Sequence, residues 1–120
     1  MIQEKILCAA IWFPEYHKRP THGPKNVDSG IVLCGRRHPD VIGQWAALTG
    51  TSLPAAHLQG FLTSDNRFVD RVEGLIIAVQ ALQGKRYGLG NLGWIYELED
   101  RLKAAQFTDG KAQLYSEDLY

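Results

Sequence analysis

The chain predicts an α+β fold, a small and mainly antiparallel sheet with two or three helices packed on one face. Three observations lead there. Apolar runs of strand length are short and separated by turn residues. Two stretches repeat apolar side chains at helical spacing behind clear start signals. Strand–helix–strand crossovers, which a parallel sheet needs, are not evident. At 120 residues the chain reads as one domain, 1–120.

Ile6 to Phe13 is a nearly continuous apolar run closed by Pro14, the pattern of a strand buried on both faces. Pro14 to Ser29 holds three prolines, two histidines and several charges, so it reads as a long loop. Loops beyond about 12 residues usually carry function. Gly30 to Cys34 is the second strand, expected to pair antiparallel with the first. Pro39 to Leu48 is a helix: proline suits the first helical position, and Asp40 suits the first turn. Val41, Ile42, Trp45 and Leu48 give its apolar stripe, and Gly50 stops it. Thr51 to Gln59 has no clean period and reads as loop.

Phe61 to Val69 has the form of a hairpin around Asp65-Asn66, a turn pair tolerant of left-handed backbone. Asp70 then stands at an N-cap position, with Glu73 at capping-box spacing. Val72, Leu75, Ile76, Val79 and Leu82 form one face of the helix that follows, up to Gly84. Lys85 to Gly93 is a glycine-rich loop. Trp94 to Ala105 is a third helix striped by Ile95, Leu98, Leu102 and Ala105, and Leu114 to Tyr120 is a short strand or an ordered acidic arm.

Charge narrows the function classes. Lys plus Arg and Asp plus Glu number 13 each, so the chain is neutral, and no duplex nucleic-acid partner is expected. Apolar runs fall short of the roughly 20 residues of a membrane span, and the N-terminus lacks a signal-peptide pattern. Cys8 and Cys34 read as small apolar residues on two strands, able to meet only if those strands are neighbours in a suitable register. A cytoplasmic setting in the host cell is the expectation.

Against this neutral background Gly35-Arg36-Arg37-His38-Pro39 stands out. It joins a strand to a helix start, where unpaired N–H groups and the positive dipole end attract anions. Cations fit poorly beside a helix N-terminus unless a negative partner offsets them, and guanidinium forks match phosphate oxygens in pairs. Surface charge paired with nearby acids is the plain alternative. Thr63, Ser64, Asp65 and Arg67 at the hairpin tip, with Arg71 on the next helix, repeat the arrangement. Turn chemistry alone accounts for Ser64, Asp65 and Asn66. Two such sites facing each other would hold two phosphates. Trp12, Phe13, Tyr16 and Tyr87 lie at element ends or in loops and are candidates to stack on a base, worth roughly 1–3 kcal/mol. Trp45 and Trp94 fit helix stripes and read as core. His17, His22 and His57 lack metal-ligand spacing, and nucleophile-elbow, Walker and dinucleotide fingerprints are missing, so neither metal nor cofactor is expected.

Three blocks add a resemblance: Arg36-Arg37-His38-Pro39-Asp40-Val41-Ile42, then Gln59 to Glu73, then Leu114-Tyr115-Ser116-Glu117-Asp118-Leu119-Tyr120. Their content and order resemble a family of small proteins encoded mostly by tailed bacteriophages and prophages. The chain departs from that pattern in a longer Pro14–Ser29 loop and in the third helix before the closing block. The resemblance implies a setting, since small phage proteins of this kind include ones that bind nucleotide-derived immune signals and keep them from host effectors.

The expected function is therefore non-catalytic sequestration of a phosphate-bearing nucleotide signal, such as a cyclic ADP-ribose isomer or a cyclic oligonucleotide. Arg36, Arg37, His38, Thr63, Ser64, Arg67 and Arg71 are the polar candidates, and Trp12 and Tyr16 the aromatic ones. A chain this small is expected to assemble as a homo-oligomer with pockets near subunit interfaces. The alternatives are a small phosphodiesterase, with His38 as general acid or base assisted by Asp65, Glu117 or Asp118, and a protein-binding inhibitor of a host enzyme that works through the Pro14–Ser29 loop or the acidic tail.

Overall fold

The computed structural model describes residues 3–16, 23–81, 83, 113–116 and 119. Four antiparallel strands make one sheet: β1 (Ile6–Phe13), β2 (Ile31–Gly35), β3 (Leu58–Thr63) and β4 (Phe68–Asp70), in the order β2-β1-β3-β4. Two helices, α1 (His38–Thr49) and α2 (Arg71–Gln80), lie on one face of it. The fold is α+β, as the sequence predicts. The third helix, the glycine-rich loop and much of the tail lie outside the described residues.

Why β1 reads as unbroken apolar sequence is visible in its register. Ile6 faces Thr63 and Ala9 faces Phe61, with a bulge between Ile6 and Cys8. The extra residue reverses the strand's alternation, so Ile6 and then Ala9, Ile11 and Phe13 all point to the helices. Leu7 falls in the bulge and is exposed. The expectation of burial on both faces holds in part: on the opposite face Ala10 is fully buried, while Cys8 and Trp12 are only partly covered.

The helix face carries two clusters. Ile11 and Phe13 meet Val41 and Trp45 of α1, with the Phe13 and Trp45 rings stacked at 4.2 Å. Ile6, Phe61 and Val69 meet Leu75, Ile77 and Ala78 of α2 together with Leu114 from the C-terminal block. Both helices are rotated from the stripes the sequence suggests. His38, Val41 and Trp45 are the buried side of α1, while Ile42 and Leu48 are exposed. Gly74, Leu75, Ile77 and Ala78 are the buried side of α2, and Ile76 is exposed. Gly74 belongs there because the Phe61 ring approaches it so closely that an added Cβ would sit 3.0 Å away.

Local signals hold where side-chain chemistry dictates them. Gly50 closes α1 at φ 71°, and Asn66 takes the left-handed turn at φ 55°. The Asp70 carboxylate accepts from the Val72 and Glu73 N–H groups at 3.0 and 2.8 Å. Two boundaries are corrected. β3 starts at Leu58, inside the stretch read as loop, because its pairing with β1 supplies what periodicity does not show. α2 ends at Gln80 rather than at Gly84.

Ahead of β2, Lys25 and Asn26 lie at the far edge of the sheet, beside the β3–β4 turn and β4. The Lys25 N–H reaches the Asn66 carbonyl, and the Asn26 side-chain amide pairs with both backbone groups of Phe68, at 2.6 and 2.8 Å. Gln83 does the same to Ile6, at 2.7 and 2.8 Å. In each case a carboxamide stands in for a strand partner.

Candidate functional site

The three sequence blocks meet at one junction. His38, the first residue of α1, is buried, and its Nε2 lies 2.7 Å from the Gly60 carbonyl oxygen. A carbonyl can only accept, so Nε2 carries the hydrogen and Nδ1 is left to accept from the Ser116 hydroxyl, 3.3 Å away. The same hydroxyl oxygen faces the His38 N–H at 3.4 Å. The Phe61 ring stands edge-on to the imidazole at 5.2 Å.

On the other side of the C-terminal segment, Arg71 opens α2. Its guanidinium donates to the Leu114 carbonyl at 3.0 Å and to Gln59 Oε1 at 2.7 Å, and lies 5.0 Å over the Tyr115 ring. Leu114 N–H returns a bond to the Arg71 carbonyl. Both helix starts therefore hold the same short segment, residues 114–116. Tyr115 is half exposed there, Arg36 is exposed and Arg37 partly so. Asp40 Oδ2 accepts the Arg37 N–H at 3.1 Å, so the α1 start already has a carboxylate of its own.

The hairpin tip is a separate cluster. Arg67 holds Glu4 with two parallel bonds, 2.9 and 2.8 Å, and reaches Glu73 at 3.1 Å. Glu73 thus serves Arg67 rather than closing a capping box. The Thr63 hydroxyl donates to Glu4 at 2.6 Å, and Ser64 pairs with Lys5 through both backbone and hydroxyl. Thr63, Ser64 and Arg67 are accounted for by the protein's own bonds.

This cluster fixes an acid response. The Arg67 guanidinium, foremost, and the Thr63 hydroxyl bring Glu4 from the usual 4.5 down to about 2, against the opposing pull of burial. A carboxylate depressed in the folded state contributes stability above the unfolded value that is lost as pH falls through the folded one. With side chains 28% and 21% exposed, solvent screening leaves the contribution at about 1–2 kcal/mol. The melting temperature is expected to fall between about pH 4.5 and 2 by more in the native chain than in Glu4→Gln. Equal falls would remove the assignment.

The aromatic candidates lie elsewhere. Trp12 donates to the Ser29 carbonyl at 2.8 Å and packs edge-on against Phe68 at 5.9 Å. Tyr16 stands edge-on to Trp45 at 6.2 Å beside a cavity of about 270 Å³, which Phe13, Glu15, Pro54 and Ala56 also line. His57 bonds the Pro54 carbonyl. Among the described residues no group of three or more metal-ligating side chains forms. His17, His22, Tyr87, Glu117 and Asp118 lie outside them.

The matching span settles the family. A family model described as Phage T4 y16D protein matches residues 5–120. The chain belongs to this y16D family. The match takes in all three blocks of the y16D chain. No curated protein and no solved structure matches the chain. No helix among the described residues of this y16D protein is long and apolar enough to cross a membrane.

Sequence reasoning left out Glu4, Gln59, Gly60 and Tyr115 as participants. Gln59, Gly60 and Tyr115 lie in blocks the sequence singles out, so block membership was the available signal. Glu4 carries none, since its partner is 63 positions away.

Proposed function

We propose that this phage protein binds a nucleotide-derived immune signal, a cyclic ADP-ribose isomer or a cyclic oligonucleotide, and withholds it from host effectors without chemical turnover. The observation that carries the reading is the convergence of two helix starts on residues 114–116, where the Arg71 guanidinium lies 5.0 Å over the half-exposed Tyr115 ring. A ring backed by a cation is a platform for a base, and Arg36 and Arg37 lead into the other helix, where phosphate would be met. Arg67 is assigned no ligand contact, because Glu4 and Glu73 occupy it. His38 acts as a strut that positions Arg37 and the C-terminal segment. Exposed Ile42, Leu48 and Ile76 on the outer sides of the helices support assembly with further copies, which a mass measurement in solution tests.

The test is retention. The purified protein is mixed with each candidate signal, separated from free ligand, and heated to release what it holds. Intact signal in the released fraction is the expected result, and Tyr115→Ala is expected to weaken retention about 10- to 100-fold while leaving the melting temperature close to native. Release of cleaved signal would replace the reading with the hydrolase, and retention of none would remove it.

A further inference from the structure

Apart from the junction, the turn that closes β1 and the loop that enters β3 line the cavity of about 270 Å³ beside Trp45. The Tyr16 N–H bonds back to the Phe13 carbonyl at 3.2 Å, and this turn sets Glu15 and Tyr16 along the cavity. In the loop, the His57 ring holds the Pro54 carbonyl at 2.6 Å and the His57 N–H reaches the Ala55 carbonyl at 3.1 Å, which steadies Pro54 and Ala56. The Trp45 indole N–H is spent on the Ser52 carbonyl at 3.0 Å, so this ring brings only its π surface to the cavity.

We propose that this cavity is a second binding site, for a small free organic ammonium ion, with Trp45 and Tyr16 holding the head group and Glu15 meeting its charge. The volume falls just under the roughly 300–1,000 Å³ of small-molecule pockets, the scale of one head group rather than of a dinucleotide. The Phe13 ring lies almost parallel to Trp45, 10° between planes, and Tyr16 stands at 76° to Trp45, so the rings form a corner. Aromatic rings carry negative charge on their faces and attract cations, and aromatic corners of this kind suit quaternary ammonium groups.

Charge decides between ligand classes. Glu15 is exposed, and none of the described residues forms a hydrogen bond or ion pair with its side chain. None of the described lining residues is basic. A neutral guest would leave the carboxylate unused, and a phosphate would meet it with no cation beside it. The same repulsion separates a free ammonium ion from the choline head of a lipid, to which a phosphate is attached. It also keeps this site independent of the nucleotide reading at residues 114–116.

The experiment is a calorimetric titration of the full chain with choline, beside phosphocholine and dimethylbutanol, the neutral isostere with carbon in place of the ammonium nitrogen. Choline is expected to bind and to move the Trp45 indole N–H resonance. The isostere is expected to bind about tenfold more weakly, and phosphocholine more weakly than choline. Glu15→Gln is expected to weaken choline binding about twofold to fivefold, and Tyr16→Leu about tenfold. Thermal melts of both variants separate a lost site from a lost fold, and the exposed Glu15→Gln decides if Tyr16→Leu does not fold. Absence of choline binding would overturn the proposal, as would equal binding of the isostere or of phosphocholine, or native affinity in Glu15→Gln.

Discussion

Gly60→Ala is expected to cost about 3–5 kcal/mol, lowering the melting temperature by roughly 10 °C or more. Gly60 is buried in β3, and an added Cβ would land against the Val69 carbonyl oxygen and 2.9 Å from the tip of the Phe68 ring. The first neighbour is backbone and cannot rotate away, so β4 would have to separate from β3 or the Phe68 ring leave its place against Trp12. Either movement also displaces the carbonyl that His38 holds. Urea unfolding of Gly60→Ala beside Gly43→Ala is the measurement. Nothing lies within 4 Å of a Cβ at Gly43, so that helix substitution is expected to be neutral or slightly stabilising. Similar behaviour of the two would refute the packing described at the sheet centre.

His38→Ala is expected to cost about 2–4 kcal/mol and to loosen the C-terminal block. The substitution opens space beside Phe61 and leaves the Gly60 carbonyl without its donor. It also removes one of the bonds that fix Ser116. Ser116→Ala tests the smaller half of the contact and is expected to cost about 1 kcal/mol. Amide exchange at residues 114–116 is the discriminating readout. It should accelerate in both variants before global unfolding, and unchanged protection there would mean that the block is anchored by something other than the histidine.

Much of the fold was legible because certain residues leave little choice. Asn66 in a left-handed turn, Asp70 capping α2 and Gly50 closing α1 each follow from chemistry within four residues. What escaped depends on distant partners. The bulge at Leu7 hides the alternation of β1, and β3 begins in a stretch that has no period of its own. The helix stripes include Ile42, Leu48 and Ile76, which the sheet does not reach. The candidate site divides the same way. The sequence grouped Arg36, Arg37, His38 and Arg71, and the fold sets the two helix starts against one short segment. Arg67 and Thr63 resembled a binding cluster because Glu4, their partner, is far away in sequence.

The Asn26 carboxamide has a consequence for how the molecule behaves in a crowd. It occupies the outward-facing N–H and C=O of Phe68 on the short edge strand β4, the groups through which a second chain could add itself to the sheet. Conversion of Asn26 to aspartate, by mutation or by slow hydrolysis of the amide, would set a carboxylate against the Phe68 carbonyl and open that edge.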